Sequence, residues 1–201
     1  MDDATLKYHT REDWLLAAVE EFRPWFKDAG KPLPARVRVS CGFALGSRKA
    51  IGQAWNCKAS SEGLANVFIS PILENDAGDK SGVLPTLLHE LCHVALPEKT
   101  GHRAPFAKLA ASLGLDKPWT ATTPSPDCLK RLNDVRRVLG KYPHGRLNPS
   151  QLERKKQSTR LLKAECEECG YIVRVTAKWV EEAGPPRCGI ASHGAMAVDG
   201  E

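Results

Sequence analysis

LPTLLHELCHV, residues 84–94, is the stretch that decides the fold of this chain. Successive residues of an α-helix are rotated by about 100°, so His93 lies only about 40° from His89, and Glu90 falls close to both. The leucines occupy the opposite arc, which predicts a helix with one face in the core. The other face carries the H-E-x-x-H pattern, in which two imidazoles one turn apart bind zinc beside a carboxylate. A buried helix with two incidental histidines is the alternative interpretation.

The third ligand of such a site must come from beyond this helix, because a catalytic zinc needs three protein ligands and one open position. Past Pro97 the chain turns and reaches His102, which we expect to open the next helix. Gly101 permits a tight turn that brings the His102 imidazole back over the first two. Glu98 is the competing ligand. The predicted ligands of a catalytic zinc are His89, His93 and His102.

Glu90 lies beside the predicted metal without being one of its ligands. Zinc lowers the pKa of water, and a neighbouring carboxylate can remove the proton as that water attacks a carbonyl carbon. We therefore predict that Glu90 is the catalytic base of a zinc endopeptidase, with a zinc-bound water as the nucleophile.

The flanking segments predict an α+β domain around this helix. Thr10 and Asp13 resemble a capping box at the start of a helix over residues 12–28. Strand-like alternation occurs over residues 37–43, 50–55 and 65–70. Further helices are predicted up to about residue 96, from 102 to 114 and from 126 to 139, the last of them capped by Ser125. The strand at 65–70 (ANVFIS) is either ordinary sheet structure or a sheet edge that pairs with an extended substrate.

A second group of ligand-type residues lies near the end of the chain. Cys166-Glu167-Glu168-Cys169-Gly170 has the form of a zinc knuckle, and Cys188 and His193 follow. This Cys₃His spacing predicts a closed, structural zinc site. A redox C-x-x-C is the alternative, but the flanks lack a βαβ pattern. Residues 171–180 alternate as one arm of a β-hairpin would, and Gly184-Pro185-Pro186 predicts a turn. The predicted structural ligands are Cys166, Cys169, Cys188 and His193.

Length and composition limit the class of protein. With 201 residues, 42% of them apolar, the chain can build one ordinary domain and a small appendage. It has seven cysteines, and in a reducing compartment close-spaced cysteines favour metal over disulfides. The charged start has no apolar signal core, and no apolar run approaches the roughly 18 residues of a membrane span. We expect a soluble, cytoplasmic monomer with no membrane partner, associated with the nucleoid if it is bacterial or phage-encoded.

The charge is unevenly distributed, although the formal net charge is only +5. Residues 1–30 hold seven acidic and four basic side chains, giving −3. Residues 129–163 hold eleven basic and two acidic side chains, giving +9. This asymmetry indicates a polyanionic partner. The predicted organisation is a domain over residues 1–145, a basic linker over 146–159 and a cysteine-bearing module over 160–201.

LHELCHVALPEKTGHRAPF, residues 88–106, resembles the core of the SprT-like (SprT/Spartan) family of zinc metalloproteases. The family signature is H-E-x-x-H, a short loop and then G-H-x-x-x-F. In the family the two histidines of H-E-x-x-H and the later histidine are the ligands, and the glutamate is the base. The glycine lies in the loop, and the phenylalanine is a packing aromatic. The matching positions here are His89, Glu90, His93, Gly101, His102 and Phe106. Arg103 stands where the family often has glycine, and the module here lacks the second C-x-x-C that usually ends the family's ribbon.

This resemblance covers roughly residues 35–198. It implies a zincin-like minimal metalloprotease domain followed by a zinc ribbon. It also implies cleavage of proteins that are bound or crosslinked to DNA, switched on by DNA contact. Single-stranded or distorted DNA is then the expected partner, together with a DNA-bound protein substrate.

Nucleic-acid contact is predicted at the basic stretch and at one tryptophan of the module. Basic side chains neutralise phosphates, and an exposed aromatic ring can stack on an unpaired base. The alternative is a solvated helix face and a core tryptophan. The residues predicted to contact DNA are Arg154, Lys155, Lys156 and Trp179.

Three hypotheses of function follow. The first is a DNA-associated zinc endopeptidase, which needs the base Glu90 beside an open coordination position. The second is a non-proteolytic, zinc-containing DNA-binding or transcription-associated protein. The third, which the charge asymmetry does not favour, is a metallopeptidase that acts on small peptides.

Overall fold

The protein is an α+β structure, described here by a computed structural model over residues 6–46, 49–74, 82–97, 99–143, 145–149 and 161–199. Five α-helices and three small sheets occur in these ranges. The chain divides into two compact units, Met1–Pro149 and Ser150–Glu201. The α+β class predicted from the sequence is confirmed.

The first unit contains a three-stranded sheet of β1 (Val37–Cys41), β2 (Gly52–Trp55) and β3 (Ala65–Ile69). Their order is β1-β3-β2, with β1 parallel and β2 antiparallel to β3. The central strand β3 is therefore bonded on both sides. The hypothesis that the segment 65–70 is a sheet edge is wrong, because β1 crosses over to pair with β3 in parallel. The edge next to the predicted zinc helix is β2.

The described part of the first unit also contains four helices: α1 (Arg11–Asp28), α2 (Val83–Val94), α3 (Ala104–Ser112) and α4 (Pro126–Leu139). The predicted caps are confirmed, since Thr10 accepts a hydrogen bond from the Asp13 amide and Ser125 accepts one from Cys128. Such caps satisfy backbone donors that a helix start leaves unpaired. None of the described helices is long and apolar enough to cross a membrane.

The core of the first unit lies between the sheet and its helices. Helix α1 packs on β1, and α2 packs on β2 and β3. Trp14, Phe22 and Leu88 are fully buried in this core. Trp14 also meets Tyr142 edge to face, with 4.9 Å between ring centroids. The segment that follows α4 therefore still packs against the core of the first unit.

A two-stranded antiparallel hairpin of β4 (Leu115–Asp116) and β5 (Thr123–Pro124) connects α3 to α4. The hairpin was not predicted, because strands of two residues are too short to show an alternating pattern. It matters because its loop lies beside the predicted zinc helix.

The second unit is a small sheet of β6 (Leu161–Glu165), β7 (Ile172–Thr176) and β8 (Ala197–Val198), in the order β7-β6-β8. The described residues that form its buried interior are Ala164, Cys166, Cys188 and Met196. The prediction of a β-hairpin arm over residues 171–180 is correct only to Thr176. The chain then forms α5 (Ala177–Ala183), because AKWVEEA is rich in residues that favour a helix.

Candidate metal centres

The first ligand cluster brings together the three histidines predicted from the sequence. His89 and His93 lie one turn apart on α2, and His102 lies in the loop between α2 and α3. The Nε2 atom of His102 lies 3.2 Å from Nε2 of His89 and 3.2 Å from Nε2 of His93. All three ligand atoms lie within 4.8 Å of one another. These three residues could therefore hold one metal ion.

The loop reaches this position through two left-handed residues, Lys99 (φ 61°) and Gly101 (φ 55°). Glycine adopts this conformation without steric cost, as expected for Gly101. His102 does not open α3 as predicted, because the helix begins two residues later at Ala104. Arg103 has φ −76°, which needs no glycine. Glu98, the competing third ligand, lies outside the described residues.

The ring of Phe106 contacts all three imidazoles. Its ring is fully buried and stacks on His93, with 4.5 Å between centroids and an interplanar angle of 28°. The centroids of His89 and His102 lie 5.0 Å and 4.9 Å from the same ring. Contact with one rigid aromatic ring therefore limits the movement of all three ligands.

His89 has a further polar partner. Its Nδ1 atom lies 2.8 Å from Oγ1 of Thr122, in the loop of the β4–β5 hairpin. Thr122 was missed from the sequence, since it stands 33 positions after His89 and belongs to no motif. A hydroxyl at Nδ1 leaves Nε2 facing the other two histidines.

The metal-free protein keeps these imidazoles neutral. Burial, together with the neighbouring charges of His93 and His102, lowers the pKa of His89 to about 3. Burial and His102 lower the pKa of His93 to about 4, and burial lowers that of His102 as well. Neutral imidazole is the form that binds metal, so no proton has to leave before binding near neutral pH.

The spacing of the nitrogens fits a tetrahedral ion. Bonds of about 2.0–2.1 Å at tetrahedral angles place neighbouring nitrogens about 3.3 Å apart. The two Nε2 separations of 3.2 Å agree with that value. Three neutral nitrogen ligands suit zinc and several other divalent transition metals.

Glu90 lies on the same helix face but is far more enclosed, with only 7% of its surface exposed. Burial raises its pKa to about 7, while a hydrogen bond from the Ala54 amide acts in the opposite direction. A carboxyl group with a pKa near neutrality can both accept and release a proton at physiological pH.

The edge strand β2 leaves room for Glu90 at Gly52. A Cβ atom built there would lie 2.6 Å from Oε1 of Glu90 and 2.7 Å from Cγ2 of Thr86. Atoms of these types do not approach so closely, so any side chain at this position displaces the carboxylate or the strand. The sequence marks Gly52 as a strand glycine, which often signals a close approach, but does not identify the neighbour.

A cavity of about 1130 Å³ opens over this cluster, with β2 on one side and the hairpin loop on the other. The Ser70 amide donates to the Ile51 carbonyl across the β2–β3 pair at 2.9 Å. Alternate residues of an antiparallel strand direct their backbone groups to opposite sides. The backbone groups of Gly52 and Ala54 therefore point away from β3, as the bond from Ala54 to Glu90 requires.

The second ligand cluster unites the four residues predicted for it. Sγ of Cys169 lies 3.7 Å from Sγ of Cys188. Nδ1 of His193 lies 3.5 Å from the sulfurs of both Cys166 and Cys188. Tetrahedral bonds of about 2.3 Å to sulfur and 2.0–2.1 Å to nitrogen give separations of about 3.8 Å and 3.5 Å. The cluster could hold a second metal ion, with His193 as the fourth ligand.

Backbone amides favour the thiolate form of one cysteine in this second cluster. Hydrogen bonds from the amides of Cys169 and Glu168 lower the pKa of the Cys166 thiol to about 7. The thiolate is the form that coordinates metal. Four protein ligands also complete a tetrahedral shell, so the cluster leaves no position for a substrate.

The residues predicted to contact DNA are only partly described. Arg154, Lys155 and Lys156 lie outside the described residues. Trp179 lies on α5 with 56% of its surface exposed, so it is not a core residue. Residues 161–199 hold four basic and six acidic side chains, giving −2. The excess of positive charge thus lies before the second sheet and not on it.

Comparison with protein-family models, curated proteins and solved structures gave no match for this chain.

Proposed function

We propose that this chain is a zinc-dependent endopeptidase of the SprT-like type, with its metal on His89, His93 and His102. The observation that carries the proposal is the convergence of three Nε2 atoms beside a buried carboxyl group at the floor of an open cavity. A purely structural ion needs a fourth protein ligand and no such space. The arrangement of α2, the sheet and the loop ligand supports a zincin-like domain.

In the proposed reaction, Glu90 is the group that accepts and then donates the proton. Zinc, when bound, supplies a Lewis acid that polarises the scissile carbonyl and acidifies water. Glu90 in its carboxylate form removes a proton from the water whose oxygen attacks the carbonyl carbon. It then delivers that proton to the departing amide nitrogen as the C–N bond breaks. A pKa of about 7 in the metal-free protein is suited to this exchange in both directions.

The substrate is proposed to lie along β2. Gly52 and Ala54 line the cavity, and their carbonyl groups, which point away from β3, can accept hydrogen bonds from an extended chain. This role replaces the one considered for residues 65–70, whose backbone groups are already paired on both sides. Since main-chain bonding is independent of sequence, this edge favours broad specificity for unfolded segments.

The second unit is proposed to be a zinc ribbon with a purely structural ion. All four ligand positions are protein atoms, and two of the ligands, Cys166 and Cys188, are buried in its interior. DNA association is proposed through the basic stretch before this unit, with the exposed ring of Trp179 stacking on an unpaired base. Proteins bound to DNA are then the proposed substrates.

The proposal is tested by metal content and cleavage in parallel. The wild-type chain should contain two zinc ions and should cleave itself and a basic DNA-binding protein when single-stranded DNA is present. Glu90→Gln should abolish cleavage and retain both ions, because Glu90 is a base and not a ligand. His93→Ala should abolish cleavage and retain only one ion.

Two results would contradict this function. Wild-type cleavage by Glu90→Gln, in an assay where His93→Ala is inactive, would remove Glu90 from the mechanism. A chain that binds zinc at both clusters and DNA, yet cleaves no protein tested, would favour the non-proteolytic DNA-binding alternative.

A further inference from the structure

One polar contact at the first cluster has no place in the proposed reaction. Nδ1 of His89 lies 2.8 Å from Oγ1 of Thr122, a residue that neither binds the metal nor reaches Glu90. In the described part of the chain, no comparable partner occurs at Nδ1 of His93 or His102. His89 is therefore the one ligand of the three whose outer nitrogen is held by another element in these ranges.

We propose that Thr122 is a positioning residue, which fixes the tautomer and the ring orientation of His89 for metal binding. The inference rests on the proposed function, since it takes the three histidines as ligands. It assigns to the β4–β5 hairpin a direct part in building the metal site.

The proton count supports this assignment. A neutral imidazole carries one N–H, and a nitrogen that coordinates metal must present its lone pair. Nε2 of His89 faces His102 at 3.2 Å, on the side where the three ligand atoms converge. The proton must therefore sit on Nδ1, which donates it to Oγ1 of Thr122. Partners of this kind at the outer nitrogen hold the ring and raise the basicity of a ligand.

The backbone holds the hydroxyl in place. Thr122 directly precedes Thr123, which pairs with Asp116 in the hairpin. The loop is closed by a 2.9 Å hydrogen bond from the Ala121 amide to the Pro118 carbonyl. Thr122 is itself partly buried, so its rotamer is restricted by its surroundings. A surface hydroxyl that met His89 by chance would have none of these constraints.

The test compares Thr122→Val with Thr122→Ser in the full chain. Valine has the shape of threonine without the hydroxyl, whereas serine keeps the hydroxyl and loses a methyl group. Zinc affinity is measured by competition with a chromophoric chelator, and the Cys₃His cluster serves as the internal reference. Thr122→Val should weaken the histidine site about 10–100-fold, the range known for outer-shell partners. Thr122→Ser should restore most of the affinity.

Thr123→Val is the matched control, because it removes a neighbouring, exposed hydroxyl from the same hairpin. It should leave zinc affinity at both clusters unchanged. Equal affinity of Thr122→Val and wild type would overturn the inference. So would an equal loss in Thr122→Ser, because the role would then belong to packing and not to the hydroxyl.

A second measurement does not depend on any variant. Long-range ¹H–¹⁵N spectra of the zinc-loaded wild-type chain should show the proton of His89 on Nδ1 and the metal on Nε2. Coordination through Nδ1 would overturn the inference even if Thr122→Val failed to fold. Absence of zinc from the histidine cluster in wild type would instead refute the proposed function, so the two failures are distinguishable.

Discussion

At the scale of single residues, the surroundings of Glu90 favour the neutral form of its carboxyl group. Its side chain is enclosed by α2 and β2, and burial raises its pKa from 4.5 to about 7. The folded, metal-free protein therefore binds a proton at Glu90 that the unfolded chain releases between these two values. By linkage, this residue lowers stability as the pH rises through that window.

Replacing Glu90 should expose this effect directly. In the metal-free chain, Glu90→Gln should have wild-type stability near pH 4.5 and exceed it by about 3 kcal/mol above pH 8. The measurement is denaturant unfolding of the first unit, followed by tryptophan fluorescence, to which the fully buried Trp14 contributes. The histidines titrate in both proteins and cancel in the difference.

Glu62→Gln provides a control of opposite sign. Its exposed carboxylate accepts a hydrogen bond from Arg38, which lowers the pKa of Glu62. Removing that group should produce no gain in stability as the pH rises. A flat difference for Glu90→Gln across the same pH range would show that the carboxyl group is not desolvated as described.

At the scale of elements, β2 serves the candidate site in three ways. Gly52 gives space to the carboxylate, the Ala54 amide donates to it, and the residues of the strand line one side of the cavity. A four-residue strand thus holds the carboxyl group of Glu90 in place, while α2 and its following loop bring the three histidines together.

Gly52→Ala is expected to separate base placement from metal binding. The new Cβ would lie 2.6 Å from Oε1 of Glu90, so the carboxylate or the strand must move. Displacement by about 1 Å reduces catalysis on the order of 100-fold, and overpacking costs about 1–3 kcal/mol. We expect such a loss in cleavage rate, with both zinc ions retained.

Gly145→Ala is the matched control, because a Cβ there meets no atom within 4 Å and its φ is not left-handed. It should cleave at the wild-type rate. Wild-type cleavage by Gly52→Ala as well would show that β2 does not position the base.

The elements that could be predicted from the sequence are those with long or capped patterns. Helices α1 and α4 begin at the predicted caps, and the three histidines meet because an i, i+4 pair and a glycine turn are local features. The pairing of strands is not local, so the central place of β3 and the edge position of β2 could not be read from alternation. The contact between Thr122 and His89 could not be predicted for the same reason.

The helix at the end of β7 shows the limit of short patterns. Residues 171–180 alternate throughout, yet the pairing of β6 with β7 extends only to Leu161 and Thr176 in the described residues, and the last part of the segment forms α5. Trp179 consequently lies on a helix, which the alternating pattern did not indicate, while its exposure agrees with the prediction of an exposed aromatic ring.

At the scale of the whole molecule, two compact units each contain one ligand cluster, and a basic stretch lies around their boundary. The second unit itself carries −2 over residues 161–199. Electrostatic attraction to DNA should therefore depend on the basic stretch, and the contribution of the second unit should depend on stacking.

Charge reversal and ring removal should thus have different effects on DNA binding. Reversing Arg154, Lys155 and Lys156 to glutamate should weaken binding and flatten its salt dependence, by about 0.7 in slope for each phosphate of a single strand that is no longer neutralised. Trp179→Ala should reduce the preference for single-stranded over double-stranded DNA, since stacking needs an unpaired base. Both are measured by fluorescence anisotropy across a salt series.

Matched variants make these effects specific. Reversal of Lys27, Lys31 and Lys108 changes the net charge equally and should leave the salt slope nearly unchanged, while Trp179→Phe should keep the strand preference. A fragment of residues 1–145 that binds DNA as tightly as the full chain at the same salt would refute the assignment.

The small interior of the second unit has a consequence for how its sequence can diverge. Among its described residues, four form the buried interior, and two of these belong to the group that could hold a metal ion. Most of the other described positions in the unit are exposed or only partly covered, so substitutions there cost little stability. Over evolutionary time such a unit can lose nearly all resemblance between relatives. What selection must preserve is a set of four metal-binding side chains, so distant relatives of this unit are better sought by their cysteine and histidine pairs than by overall identity.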